Sequence, residues 1–187
     1  FGEAWGPLPA LAILFAFRCC LRPAEVVGLR TSSVRFGRTG EGAPQVILHL
    51  GATKMSVRWG GTESTSTVDS LCVRAAQFLV PGSPDVPLFG FGYPGFRDAL
   101  AKAFSLLGAS GLGFRPHSLR RGGACELFRT TGDIQAVMWK ARWAAQRTAR
   151  VYVDLERAAR AEASLSAGAR ASCAAVAAHL EARLGLA

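Results

Sequence analysis

One ten-residue segment, 115–124, constrains this chain more than any other: Arg-Pro-His-Ser-Leu-Arg-Arg-Gly-Gly-Ala. His117 and Arg120 lie three residues apart, so on a helix they share one face. Both side chains can donate hydrogen bonds to a phosphate oxygen. Trp143 follows after a helix-length gap, and nine residues later comes Tyr152, whose phenol could act as a nucleophile. The segment therefore predicts a fold that brings a phosphate-gripping helix close to a distant tyrosine.

The charge of the chain suits a polyanionic partner. Its 187 residues include 22 Lys and Arg against 13 Asp and Glu, which gives a net charge of +9 and a sequence pI near 10.2. All but three of the basic residues are arginine, whose guanidinium group forks onto phosphates. An ordinary basic protein or GC-rich coding bias is the alternative, since Ala and Gly are also abundant. Half of the residues are apolar, so one domain with a core, or one domain and a tail, is expected.

The apolar pattern predicts a mainly helical α+β fold with a small antiparallel sheet. Runs with helical spacing alternate with short β-rich runs, which Gly-rich and polar turns separate. The predicted helices are 8–20, 23–27, 69–79, 96–107, 119–130, 133–139 and 172–184, and segment 146–153 is predicted to be a short helix or a turn. The predicted strands are 33–36, 45–50 and 65–68. Arg22 is thereby expected at a helix entrance.

Several other classes of protein fit this sequence poorly. The apolar stretch 8–17 is too short to cross a bilayer, so we expect no membrane partner. Segment 90–95 satisfies G-x-G-x-x-G, but a proline interrupts it and no parallel-strand unit surrounds it. The cysteines are odd in number, lie in apolar segments and lack C-x-x-C spacing, which predicts small buried residues in a reducing compartment: Cys19, Cys20, Cys72, Cys125 and Cys173. We expect neither a metal nor a cofactor.

Seven residues, taken in chain order, resemble the active-site set of the tyrosine recombinases, also called phage-type integrases: Arg22, Glu25, Lys54, His117, Arg120, Trp143 and Tyr152. Segment 21–30 is similar to the first family box, in which an acid follows an arginine by three residues. Segment 117–120 matches the second box, and Trp143 with Tyr152 matches the third at the family spacing. The match runs from about residue 8 to residue 154. The flank 120–124 is also similar to eukaryotic mobile elements of the DIRS-retroelement and Crypton kinds.

The resemblance implies the recombinase catalytic-domain fold and its chemistry on DNA. Tyr152 would attack the scissile phosphate and become linked to the DNA 3′-phosphate, so the bond energy is conserved without ATP. Arg22 and Arg120 would neutralise the pentacoordinate transition state. His117 and Trp143 would donate hydrogen bonds to the same group. Many relatives carry His in the position of Trp143, which can donate a hydrogen bond but cannot shuttle a proton.

The resemblance also calls for a lysine that protonates the leaving 5′-hydroxyl. Lys54 is the favoured candidate, offered from a β-turn that follows a predicted strand. The other lysines are expected on helices away from the sheet: Lys102 and Lys140.

Two further assignments concern orientation and choice of ligand. Glu25 would orient Arg22 or His117 and would not itself do chemistry. Arg120 is favoured as the phosphate ligand because its spacing from His117 fits the box, but Arg121 is an alternative.

Most of these residues also have an ordinary structural interpretation. Arg22 and Glu25 could form a solvated surface pair, His117 could cap the helix predicted to begin at Leu119, and Arg120 could be a solvated charge. Trp143 and Tyr152 could be aromatic residues of the core. The joint order and spacing of the set favour the catalytic interpretation over these separate ones.

The expected organisation is a catalytic domain over residues 1–154 and a C-terminal helical tail over 155–187. In the family a C-terminal helix docks on a neighbouring subunit; segment 172–184 could play that part or be a solvated helix. Because the chain starts at Phe1 and lacks the family's N-terminal DNA-clamping domain, a fragment of a longer protein is expected. The expected partners are double-stranded DNA and three further copies in a tetramer, in whichever compartment holds the DNA, nucleus or bacterial cytoplasm. A type IB topoisomerase and a non-catalytic, domesticated DNA-binding module are the alternatives.

Overall fold

A computed structural model of the chain describes residues 7–51, 61–80, 82 and 84–185. These residues form a mainly helical α+β fold with one small sheet, as the sequence predicts. The helices are α1 (Pro7–Arg18), α2 (Pro23–Gly28), α3 (Ser70–Leu79), α4 (Tyr93–Leu106), α5 (Pro116–Thr131), α6 (Ile134–Ala141), α7 (Gln146–Tyr152), α8 (Leu155–Ala163) and α9 (Ala167–Arg183). The strands are β1 (Val34–Arg38), β2 (Pro44–Gly51) and β3 (Glu63–Thr67).

Helix α1 is the centre of the main core. Its apolar residues recur on the faces that pack against α3, α4 and α5, and Leu11, Phe15 and Cys19 just after it are fully buried. The helix ends at Arg18, whose guanidinium forms an ion pair with Asp69 at 3.0 Å. Beyond it Cys20 adopts a left-handed backbone conformation with φ of 48°. This turn sends the chain directly into α2, which carries the first two site residues.

The three strands form an antiparallel sheet in the order β1-β2-β3. Val46 and Leu48 of β2 point into the core, and the residues between and beside them are partly or fully exposed. Val46 pairs with Thr67, and a shift in register between His49 and Gly51 lets Gly51 pair with Glu63. The sheet therefore delivers Glu63, the first residue of β3, to its edge near the helices.

Helix α5 crosses α1 at very close range. A Cβ atom on Gly122 would lie 2.9 Å from the ring of Phe17, and one on Gly123 would overlap the Phe17 carbonyl oxygen. Only glycine permits this approach of two helix backbones. Gly122 and Gly123 thus allow α5 to pack directly against the end of α1, and this packing positions the preceding Arg120 and Arg121.

A second apolar cluster lies between α5, α6 and α7. Its buried members are Cys20, Ala124, Val137, Ala141, Trp143 and Ala149, with Tyr152 packed against them. Asp133 caps α6 by accepting a hydrogen bond from the Gln135 backbone amide at 2.7 Å. The packing of short α6 and α7 on this cluster brings Trp143 and Tyr152 beside α5.

The C-terminal helices return to the body of the fold. Asp154 caps α8, and Ala169 near the start of α9 is buried. Leu180 and Leu184 pack against the main core, so α9 is anchored at both ends. The sequence predicts a shorter helix, 172–184, because it treats Gly168 as a break; the glycine instead occupies the first turn of α9.

The cysteine prediction is confirmed for four residues and wrong for one. Cys19, Cys20, Cys72 and Cys125 are buried, whereas Cys173 is exposed on α9. The alanine-rich surroundings of Cys173 look apolar in sequence, but small side chains also cover the solvent side of a helix. Within the part of the chain that the structure describes, no helix has the length and apolar character needed to cross a membrane.

Candidate active site

Six of the seven candidate residues converge on one region of the fold. They come from four separate segments: Arg22 and Glu25 at the start of α2, His117 and Arg120 in α5, Trp143 after α6, and Tyr152 at the end of α7. The seventh, Lys54, lies outside the described residues.

Glu25 holds Arg22 through two contacts. Arg22 precedes α2, and Glu25 is the third residue of the helix, so its carboxylate folds back over the helix start. The carboxylate accepts from the Arg22 backbone amide at 2.6 Å and from Nη1 of its guanidinium at 2.5 Å. The side chain of Glu25 is 8% exposed and that of Arg22 is 32% exposed. The pair is therefore not a solvated surface pair: a nearly buried acid orients an arginine that reaches solvent.

Arg120 is a buried charge with fixed partners. Its side chain is 2% exposed and donates to the carbonyl oxygens of Cys20, at 2.6 Å, and of Ala141. Its guanidinium carbon lies 5.4 Å from the ring centroid of Trp143 and Nη1 lies 3.8 Å from Glu25. Burial lowers the pKa of Arg120 to about 10, so the group still carries its charge at neutral pH. The interpretation of Arg120 as a solvated charge is wrong.

The neighbouring Arg121 lies beside the ring of Tyr152. It is partly exposed, and its guanidinium carbon lies 5.6 Å from the ring centroid of Tyr152. Its Nη2 also lies 3.5 Å from the carbonyl oxygen of Val151. Arg120 thus contacts Glu25 and Trp143, and Arg121 contacts the tyrosine; which of them binds a phosphate stays a prediction.

Two aromatic rings lie close to the phenol of Tyr152. The Trp143 ring centroid lies 4.8 Å from that of Tyr152, and the His117 centroid lies 6.3 Å away. Partial desolvation lowers the pKa of His117, and the charges of Arg120, Arg22 and Arg121 lower it further. His117 is therefore neutral at pH 7, with one nitrogen able to donate a hydrogen bond and the other able to accept a proton. None of the described residues hydrogen-bonds to the hydroxyl of Tyr152, a half-buried residue.

One lysine assignment needs correction. The sequence places Lys140 on a helix away from the sheet; the helix is confirmed, but the separation is wrong. The last turn of α6 packs beside β3, and the Lys140 Nζ donates to the carbonyl oxygen of Ser66. Lys102 lies exposed on α4.

The structure adds Arg142 and Glu63 to the site. Arg142 directly follows α6, and its side chain is 8% exposed. Its Nη2 lies 2.5 Å from Glu25, its Nε 3.1 Å from Glu63, and its Nη1 donates to the Lys140 carbonyl oxygen at 3.2 Å. The position of Arg142 next to Trp143 is a signal for it in the sequence. Glu63 has none, because nothing local links a strand-start acid to an arginine 79 residues away.

The arrangement provides cations, hydrogen-bond donors, a neutral imidazole and a phenol within one region. Among the described residues no group of His, Cys, Asp and Glu side chains could hold a metal ion. Comparisons of the chain with protein-family models, with curated proteins and with solved structures found no match. The case for a function therefore depends on the geometry of this region.

Proposed function

We propose that this chain is a tyrosine recombinase catalytic domain, which cleaves and rejoins DNA through a 3′-phosphotyrosyl intermediate. The observation that carries the proposal is the convergence of six residues, Tyr152 among them, from four segments. Trp143 and His117 lie beside the Tyr152 ring, and Trp143 is linked through Arg120 to Glu25 and Arg22. Their order and spacing single them out in the sequence alone, and unrelated core and surface residues have no reason to meet. Each of them also supplies a group that phosphoryl transfer to a tyrosine needs.

In the proposed reaction the Tyr152 Oη attacks the scissile phosphorus. A bond forms between phosphorus and the phenolic oxygen, and the bond from phosphorus to the DNA 5′-oxygen breaks. The phenolic proton passes to the neutral imidazole of His117, and the leaving 5′-oxygen takes a proton from Lys54. The reverse sequence, with another 5′-hydroxyl as the attacking group, reseals the strand.

The arginines stabilise the charge that develops on the non-bridging oxygens. Arg22 is the partly exposed guanidinium at the edge of the site. Arg120 is a desolvated guanidinium, for which electrostatic interactions are stronger than in water. The Trp143 indole packs against both Arg120 and Tyr152, so it fixes the phenol relative to the buried cation. Its Nε1–H is a further donor toward the phosphate.

Exposed arginines around the site suit the flanking DNA backbone. Arg115 precedes α5, and Arg147 and Arg150 lie on α7, which ends at Tyr152. Contacts of this kind position a duplex without reading its sequence. Because counterions are released on binding, the affinity for DNA should fall steeply as salt concentration rises.

The pH dependence of cleavage tests the role of His117. The pKa of His117 is lowered from its ordinary value of about 6.5. The imidazole is therefore protonated, and lost as a base, only at a pH below that value. We expect the single-turnover rate of adduct formation to be flat near pH 7 and to fall with a midpoint below 6.5. The variant His117→Gln should lose this acid limb and be slower by roughly 100-fold or more. An unchanged acid limb in the variant contradicts the assignment.

The acid role of Lys54 is tested with a better leaving group. A substrate with a 5′-phosphorothiolate at the cleavage position needs no protonation of the leaving atom. We expect Lys54→Ala to cut the ordinary substrate roughly 100-fold more slowly and the phosphorothiolate at nearly the unchanged rate. Lys140→Ala, measured alongside, should respond equally to both substrates. If Lys54→Ala is equally slow on both, the role fails, and a selective rescue of Lys140→Ala transfers the role to Lys140.

The proposal as a whole is tested by trapping the intermediate. A duplex nicked close to the cleavage position loses its short 5′-hydroxyl strand by diffusion, so resealing is prevented and the covalent adduct accumulates. Trypsin then gives peptide 151–157, which should carry the nucleotide, whereas the other tyrosine, Tyr93, lies in peptide 75–97. A pool of nicked duplexes of random sequence lets the assay proceed without a known target.

The outcomes separate the competing functions. An adduct on peptide 151–157 with strand exchange between duplexes supports the recombinase, and the same adduct with relaxation of supercoiled plasmid alone supports a type IB topoisomerase. Salt-dependent DNA binding without any adduct refutes catalysis and supports the DNA-binding module. An adduct on another peptide refutes the assignment of Tyr152.

A further inference from the structure

Four charged side chains of the site form a closed ring. The carboxylate of Glu25 contacts Arg22 and Arg142, each at 2.5 Å. The carboxylate of Glu63 contacts the same two arginines, at 3.6 Å and 3.1 Å. Each acid thus bridges both arginines, and each arginine is held by both acids.

The two arginines of the ring are used differently. All three guanidinium nitrogens of Arg142 have partners: Glu25, Glu63 and the carbonyl oxygen of Lys140. Both acids contact Arg22 through its Nη1, so among the described residues its Nε and Nη2 are available to an incoming anion. Exposure agrees with this difference, since Arg22 is 32% exposed and the other three side chains are 15% exposed or less. Arg142 therefore connects groups inside the protein, and Arg22 is the arginine of the ring that can contact a ligand.

The backbone conformation of Arg142 is a second observation that points to a functional role for the ring. Arg142 has φ of 55°, a left-handed conformation that glycine adopts far more readily than arginine. An arginine occupies this position although the backbone conformation is unfavourable for it, and all three of its guanidinium nitrogens have partners. Such unfavourable conformations are characteristic of sites in which surrounding contacts hold a group in place.

Electrostatics explains what the ring does for Arg22. Arg120 also lies 3.8 Å from Glu25, so among the described residues three guanidinium groups lie around the carboxylates of Glu25 and Glu63. Without Glu63, Glu25 alone would balance Arg22, Arg142 and Arg120, so the attraction that holds the Arg22 guanidinium in the ring would be weaker. We propose that Glu63 and Arg142 are positioning residues that aim the free edge of Arg22 at the scissile phosphate. The inference rests on the proposed recombinase function and adds two residues that the resemblance to the family does not include.

The test compares two substrates on the same protein. Nicked duplexes carry either an ordinary phosphate or an uncharged methylphosphonate at the cleavage position, which removes the negative charge that Arg22 must neutralise. Glu63→Gln and Arg142→Met keep the size of each side chain but break the ring, and Arg22→Ala serves as the reference. Glu126→Gln is the matched control, because Glu126 pairs with Arg129 on the surface of α5, at 2.9 Å, outside the site.

We expect Glu63→Gln and Arg142→Met to form adduct on the ordinary phosphate roughly 100-fold more slowly than the unchanged chain, as a misplaced catalytic group does. The methylphosphonate has no negative charge for Arg22 to neutralise, so Arg22→Ala should recover the rate of the unchanged chain on this substrate. Both ring variants should do the same, within about 3-fold, which is the precision of such rates. Glu126→Gln should match the unchanged chain on both substrates. A loss of folded protein slows both substrates equally, so the ratio of the two rates isolates positioning.

Three results would overturn the inference. Variants as fast as the unchanged chain on phosphate show that the ring is dispensable. Variants equally slow on both substrates show that the ring serves stability alone. If the unchanged chain forms no adduct with either substrate, the proposed function fails, and the positioning role fails with it; in the first two cases the proposed function stands.

Discussion

Tyr152→Phe is expected to abolish the covalent protein–DNA adduct while leaving the fold intact. The variant lacks only the hydroxyl, which makes no hydrogen bond to any of the described residues. The ring that packs against Trp143 at a centroid distance of 4.8 Å is kept. Thermal unfolding and the salt dependence of DNA binding should therefore change little, and only the nicked-duplex assay should lose its product.

Tyr93→Phe is the matched control for this substitution. Tyr93 begins α4, is 47% exposed, and has none of the cations or rings of the site around it. Its variant should form adduct at the unchanged rate. An adduct that survives in Tyr152→Phe, or that disappears in Tyr93→Phe, places the nucleophile elsewhere and removes the basis of the proposed reaction.

Gly123→Ala is expected to destabilise the fold more than an alanine at any other glycine of the described residues. The new Cβ would overlap the Phe17 carbonyl oxygen and lie 3.2 Å from Cys20 Sγ, so α5 must move away from the end of α1. The clash with Phe17 is with helix backbone, which cannot yield as a side chain can. The cost should be about 3 kcal/mol, observed as a fall of roughly 10 °C in the unfolding midpoint.

The same displacement should reach the site, because the Cys20 carbonyl oxygen accepts a hydrogen bond from Arg120. Gly28→Ala provides the control: a Cβ at the end of α2 meets nothing within 4 Å. That variant should be as stable as the unchanged chain or slightly more stable, since alanine has the higher helix propensity. Equal stability of the two variants would mean that the close crossing of α1 and α5 does not exist.

Much of the fold was predictable because its signals are local. The spacing of apolar residues locates all three strands and, among the described residues, every α-helix except α8. Arg22 was expected at a helix entrance, where it lies. Boundaries were less accurate where proline lies in the first turn of a helix: α4 starts at Tyr93 and α5 at Pro116, each three residues before the predicted position. Pro116 is tolerated in the first turn because no helical hydrogen bond to its nitrogen is needed there. His117 consequently lies inside α5 and does not precede it.

The candidate site likewise contains residues that the sequence identifies and residues that only the tertiary fold brings together. Residues with fixed spacing, such as the His117 and Arg120 pair, can be recognised in sequence without any structure. The partners of Glu63, Arg142 and Lys140 could not be predicted, because they are set by how β3 packs beside the end of α6. An acid at the start of a strand and an arginine after a helix are each common on protein surfaces. Only the tertiary fold turns them into nearly buried neighbours.

Arg120 is held between two carbonyl oxygens, so the proposed chemistry depends on two turns of the chain being folded. One acceptor belongs to the turn after α1 and the other to the end of α6, and Trp143 follows the second within two residues. A chain in which either turn has opened loses the anchor of its buried cation. Opening the second turn also loosens the packing around Tyr152. Strand breakage would then be confined to fully folded molecules, so a partly unfolded copy could hold DNA without nicking it.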